Sequence, residues 1–188
     1  MNKFQFTVTP IPGLYVVEQR IFEDERGYFM ESFNRKEFME AGLNADFVQD
    51  NQSNSKKGVL RGLHFQWRYP QDKLVRVIKG EVFDVAVDLR KDSETFGSWY
   101  GCILTDNNKK QLYIPKGLAH GFLVLSAEAE LLYKCTEFYH PEDECGILWN
   151  DEDINIRWPL DGIPALILSK KDKDWMGFRE YMIRNDHL

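Results

Sequence analysis

From Phe47 to Phe138 the chain repeats one local instruction: a short run of β-branched, aromatic and leucine residues, ended by glycine, proline or asparagine. Such runs read as strands at Phe47–Gln52, Val59–Gln66, Lys73–Lys79, Val82–Leu89, Trp99–Leu104, Gln111–Ile114, Gly121–Leu125 and Glu130–Phe138. Two more precede them, at Leu14–Glu18 and Tyr28–Phe33, with Asp24-Glu25-Arg26-Gly27 as the turn before the second. Many short strands with almost no helix between them leave an all-β sandwich or barrel as the fold class. Asn34 with Glu37 three residues on starts one short helix, and Gly42 stops it. A second helix is expected from Asp172 to about Met182. No repeat, linker or low-complexity tract divides the 188 residues, so the expectation is one domain over 1–188.

The bulk numbers exclude several classes. A net charge of −6 argues against nonspecific binding to nucleic acid or to an anionic membrane, so any anionic ligand must meet a local cationic pocket. The three cysteines, Cys102, Cys135 and Cys145, lack metal-site spacing and form a poor disulfide framework, which suits buried thiols in a reducing cytoplasm. Met1 to Pro10 carries no signal-peptide core, and no stretch approaches the roughly 20 apolar residues of a membrane helix.

The polar residues that interrupt the strands carry the chemistry. In Val59-Leu60-Arg61-Gly62-Leu63-His64-Phe65-Gln66, strict alternation puts Arg61 and His64 on opposite faces. A bulge at Gly62 would turn both into one cavity. Lys73 opens the next strand. In Val82-Phe83-Asp84-Val85-Ala86-Val87-Asp88-Leu89 the alternation is clean, and Asp84 sits mid-strand among small apolar residues. It faces either a polar interior or solvent. His64 alone is equally a core histidine bonded to backbone. With companions it is a base: Lys73 offers charge to a developing oxyanion, and Asp172 or Asp84 could orient the imidazole. Tyr133 and Tyr139 share strand parity and could return a proton from another side. Base, oxyanion partner and separate acid are what deprotonation beside a carbonyl and reprotonation on the opposite face require, which is epimerisation.

Pro115-Lys116-Gly117-Leu118-Ala119-His120 resembles the second half of the cupin signature. The first half would supply two histidines one residue apart, but here reads His64-Phe65-Gln66, and His140 lies in a turn beside Pro141. A three-histidine metal site is therefore not expected, nor any cofactor. Over nearly its whole length the chain resembles the dTDP-4-dehydrorhamnose 3,5-epimerase family of cupin-type jelly rolls. The matching runs include Asp24-Glu25-Arg26-Gly27 with Phe29 and Glu31, Phe47-Val48-Gln49-Asp50-Asn51, Val59 to Gln66, Lys73 to Val77, Gly80 to Asp88, Thr95-Phe96-Gly97, Ile114 to Phe122, Leu132-Tyr133-Lys134, Trp158-Pro159-Leu160 and Leu168-Ser169-Lys170-Lys171-Asp172.

The resemblance implies that His64 is the base, paired with Asp172, that Tyr133 is the acid, and that Lys73 stabilises the enolate. It puts Arg26, Phe29, Glu31, Gln49, Asn51, Arg61, His120, Tyr139, Glu144 and Lys171 against the nucleotide or sugar of a dTDP-sugar. Phosphate suits Arg26 and Arg61, whose guanidinium forks match its oxygens. It also implies a cytoplasmic homodimer in which N-terminal strands cross to the partner, for which an edge at Phe4–Val8 is suited. The chain departs from the pattern in three places: a shorter loop from Gln66 to Lys73, Phe138 for a second tyrosine, and Lys173-Asp174-Trp175-Met176 after Asp172. Competing readings are an epimerase inverting C3 or C5 alone, a metal-dependent cupin such as a dioxygenase or phosphosugar isomerase, and a noncatalytic sugar-nucleotide binding module.

Overall fold

Residues 3–185 are described by a computed structural model in which two antiparallel sheets enclose an apolar core. One sheet has six strands: β1 (Phe4–Val8), β2 (Tyr15–Gln19), β5 (Gln49–Lys56), β7 (Lys73–Lys79), β10 (Gln111–Ile114) and β12 (Glu128–Cys135). Their order across the sheet is β1-β2-β10-β7-β12-β5. The other has five: β6 (Leu60–Gln66), β8 (Glu81–Asp88), β9 (Trp99–Thr105), β11 (Leu118–Val124) and β13 (Glu144–Gly146), in the order β13-β6-β11-β8-β9. The pair β3 (Ile21–Asp24) and β4 (Gly27–Met30) forms a separate hairpin. The chain is all-β, as the alternation implies, and β7 and β10 keep the bounds read from the sequence.

Alternation decides what each face meets. Val75 and Val77 of β7, Leu112 and Ile114 of β10 and Leu131 of β12 pack against Val82 and Ala86 of β8 and Leu118 and Phe122 of β11. The opposite face of the five-stranded sheet is buried too: Val85, Val87 and Leu123 lie under Ile147, Ile154, Trp158, Phe178 and Tyr181. Burial on both faces is why these strands carry apolar residues at both parities. Outside the six-stranded sheet, helix α1 (Arg35–Glu40) lays Phe38 against Phe4, Phe33 and Tyr113. Asn34 caps that helix by accepting from the Lys36 and Glu37 amides, the start expected from its position.

Long-range contacts moved several boundaries. The last predicted helix is two pieces, α2 (Lys170–Lys173) and α3 (Phe178–Asn185). Between them Met176 leaves helical pairing, and its carbonyl accepts from the Leu148 amide at 2.9 Å. β12 ends at Cys135, so Tyr139 belongs to the following loop and shares no strand parity with Tyr133. Strands β3 and β13 were not read from the sequence; at four and three residues they carry too little alternation to register. Among the described residues no helix is long and apolar enough to cross a membrane.

Candidate active site

A cavity of about 360 Å³ opens at one end of the sandwich, within the range of small-ligand sites. Its walls follow from period 2 along each strand. β5 supplies Gln49, Asn51 and Ser53; β11 supplies His120 and Phe122; β12 supplies Tyr133 and Cys135. Lys73 enters from β7 and Glu144 from β13.

β6 contributes both Arg61 and His64, and a bulge makes that possible. Opposite it, His120 pairs with His64 and Phe122 with Arg61, so three steps on β6 face two on β11. Gly62 lies in the bulge at φ +132°, and a Cβ there would stand 2.5 Å from Gly121 Cα. Only glycine meets both demands. Arg61 reaches back to Ser55, its Nε donating to Oγ at 3.2 Å.

Two histidine–carboxylate pairs occupy neighbouring positions. His64 Nε2 lies 2.5 Å from Asp172 Oδ1, across 108 residues of sequence. Asp172 is buried at the centre of α2, where Ser169 caps the helix and donates its hydroxyl to Oδ2 at 2.7 Å. Burial alone would raise the Asp172 carboxyl, but the His64 and Ser169 hydrogen bonds overcome it and hold the pKa down at about 2. Asp84 serves the other histidine: His120 Nε2 is 2.9 and 3.0 Å from its two oxygens. The alternative in which Asp84 orients His64 is thus excluded, and Asp84, fully buried, faces the interior rather than solvent.

Burial sets the remaining groups. Tyr133 is pushed up to about 12 by desolvation, which keeps the phenol protonated at neutral pH. The Lys73 ammonium, buried in the wall, is lowered by desolvation, against the pull of Cys135, Glu144 and Asp84. At the mouth, Tyr139 donates its hydroxyl to Glu144 Oε2 at 2.7 Å, and Lys171 donates to the same oxygen. Burial would raise Glu144, but these two donors lower it. Tyr139 is tied down by its amide, which donates to Gln49 Oε1 at 2.9 Å.

Most sequence-derived candidates therefore converge: His64, Tyr133, Lys73, Gln49, Asn51, Arg61, His120, Tyr139 and Glu144 line the cavity, Asp172 stands behind His64, and Lys171 holds Glu144. Arg26, Phe29 and Glu31 do not join them within one chain. They lie on and just after the β3–β4 hairpin, which pairs with neither main sheet and contributes no residue to the cavity wall. Arg26 pairs with Asp24, Glu31 with Lys3 and Asn34, and Phe29 is 67% exposed. Sequence reading missed Ser53, Gln66, Phe122 and Cys135, each two residues from a named candidate, so the strand period was the available signal; it does not reach Phe65, which adjoins His64. Gln71, in a loop, had none. The three cysteines are free; Cys135 is buried and Cys102 and Cys145 are half-buried.

His140 stands apart, stacked on Tyr69 with ring centroids 4.0 Å apart. Among the described residues no group of three or more His, Cys, Asp or Glu side chains is arranged to hold a metal ion.

The fold is a cupin-type jelly roll, and comparison with known proteins places the chain among isomerases of the epimerase class. The sequence profile of the dTDP-4-dehydrorhamnose 3,5-epimerases matches residues 8–180. The enzyme of that name from Methanothermobacter thermautotrophicus is 56% identical over 180 residues, covering 96% of this chain and 97% of the relative. That from Escherichia coli K12 is 57% identical over 167 residues, covering 88% and 89%. The crystal structure of dTDP-6-deoxy-D-glucose-3,5-epimerase from Legionella pneumophila Philadelphia 1, in complex with dTDP-4-keto-L-rhamnose, superposes with a TM-score of 0.91 at 51% identity, covering 94% of this chain and 93% of that one. The chain belongs to the dTDP-4-dehydrorhamnose 3,5-epimerase family.

Proposed function

We propose that the chain, acting as one domain over 1–188, inverts C3 and C5 of dTDP-4-dehydro-6-deoxy-D-glucose to give dTDP-4-dehydro-L-rhamnose in dTDP-L-rhamnose biosynthesis. The observation that carries this reading is that His64, held by Asp172, and Tyr133 line one cavity with Lys73 between the sheets. With Nε2 engaged by Asp172, Nδ1 of His64 takes the proton from the carbon beside the C4 ketone. Electron density moves onto the ketone oxygen, where the Lys73 ammonium balances the enolate charge. Tyr133 then delivers a proton to the opposite face of the same carbon; once His64 has released its proton to solvent and Tyr133 has regained one from solvent, the cycle repeats at the other carbon. Arg61 holds the pyrophosphate, with Gln49, Asn51, His120, Tyr139, Glu144 and Lys171 around the nucleotide and sugar.

No step uses a metal or a cofactor. Support for that comes from the donors themselves: of the described histidines only His64 and His120 line the cavity, and His140 is stacked on Tyr69. Full turnover after chelation is expected, and loss restored by a divalent ion would refute it.

The enzyme works as a cytoplasmic homodimer, and Arg26, Phe29 and Glu31 reach the cavity of a second copy. The exposed rings of Phe22, Tyr28 and Phe29 on the hairpin and the open edge of β1 support that reading.

Turnover in deuterated water tests the reaction. Label at both C3 and C5 of the product is expected; label at one carbon alone would make the enzyme a single-centre epimerase. Tyr133→Phe is expected to slow product formation more than exchange of the substrate's α-protons. Equal loss of the two would remove Tyr133 as the later acid.

A further inference from the structure

The Asp172 side of His64 explains how the imidazole is oriented, but not what holds its plane. Three residues after Asp172 the chain turns back, and Trp175 presents its ring to His64, with centroids 5.9 Å apart and planes at 69°.

The opposite strand is shaped around it. Gly146 of β13 is the cross-strand partner of His64, and a Cβ at 146 would fall 2.5 Å from Cδ2 and Cε2 of the indole. The φ of Gly146 lies outside the left-handed region, so its backbone does not require glycine; the space does. Trp175 Nε1 is buried with no hydrogen-bond partner among the described residues, so hydrogen bonding does not choose the ring's position. Packing does. The segment is fastened before the indole by Asp174 N donating to Lys171 O at 3.1 Å, and after it by Leu148 N donating to Met176 O at 2.9 Å.

We infer that Trp175 is a positioning residue for the base. Asp172 fixes one nitrogen of His64 while the indole blocks rotation of the ring, and Gly146 is glycine to admit the indole. α2 and the turn after it thus deliver both constraints from one short stretch of chain. Trp175 is not placed against the substrate, since it forms no part of the cavity wall. The catalytic consequence rests on His64 being the base; the contact itself does not.

The test compares Trp175→Leu, Trp175→Phe and Gly146→Ala with the intact protein, with dTDP binding as the check on folding. Trp175→Leu is expected to lower kcat by about ten- to a hundredfold with KM little changed, the scale of a misoriented catalytic group. Gly146→Ala should act in the same direction by displacing the indole, and Trp175→Phe should restore most of the loss. The ring resonances of His64 should move and broaden in Trp175→Leu. Near-normal kcat in Trp175→Leu, failure of phenylalanine to rescue, or unmoved His64 resonances would each overturn the inference. If His64→Ala instead keeps its turnover, the assignment of the base falls, while the resonance measurement still decides whether Trp175 holds the ring.

Discussion

The two histidine–carboxylate pairs are built from the same groups, lie on paired residues of adjacent strands, and bond through the same ring nitrogen. They differ in access and in origin. The His64 side chain is 32% exposed and its carboxylate arrives from a short helix 108 residues away. His120 is 9% exposed and takes its carboxylate from the adjoining strand β8, 36 residues away. A proton-transferring group needs one nitrogen open to substrate and the other held; only the first pair leaves the imidazole that open. The second pair satisfies a buried carboxylate and stiffens the wall against which the first one works. On the proposed function, the same chemistry takes two roles, divided by access and by where the carboxylate comes from.

That division breaks first at His64. His64→Ala is expected to lower kcat about a thousandfold or more, with dTDP binding retained, as judged by steady-state kinetics and calorimetry. Turnover near the normal rate would erase the distinction between the pairs. Asp172→Asn keeps the imidazole but loses the ionised partner, and about a hundredfold loss in kcat is expected.

The same carboxylate carries a stability signature. Its folded pKa of about 2 lies below the unfolded value of about 3.9, so the protein gains about 2 kcal/mol that is fully present above about pH 4. The gain disappears as the pH falls through about 2. Urea melts from pH 7 downward should therefore converge for the intact protein and Asp172→Asn at the acid end; a constant gap would contradict the assignment.

The smallest effect is expected at the second pair. Asp84→Asn should cost about 1.5 kcal/mol of stability while kcat stays within about tenfold, because the amide oxygen still accepts from His120. A kcat loss as large as that of Asp172→Asn would show that His120 also handles protons.

Local pattern exposed much of this in advance, for identifiable reasons. Strand period 2 is a property of the chain itself, so the bounds of β7 and β10 follow from spacing, whereas Gln49 and Asn51 were expected only from the family resemblance. The glycine between Arg61 and His64 announced the bulge, because few other residues accept that backbone at so close an approach. The C-terminal helix was misread for the opposite reason: its apolar spacing suits a helix, but the Leu148–Met176 hydrogen bond draws that stretch into extended pairing.

Sequence by itself determined that the chain makes an all-β fold and that a bulge at Gly62 would turn Arg61 and His64 into one cavity, since alternation, bulge and turn are written in neighbouring residues. Only the tertiary structure decided which aspartate each histidine receives, that the hairpin bearing Arg26 and Phe29 stands away from its own cavity, and that Trp175 fills the space above Gly146. Those outcomes depend on segments separated by tens to a hundred residues, whose meeting is settled by packing and burial rather than by any local rule.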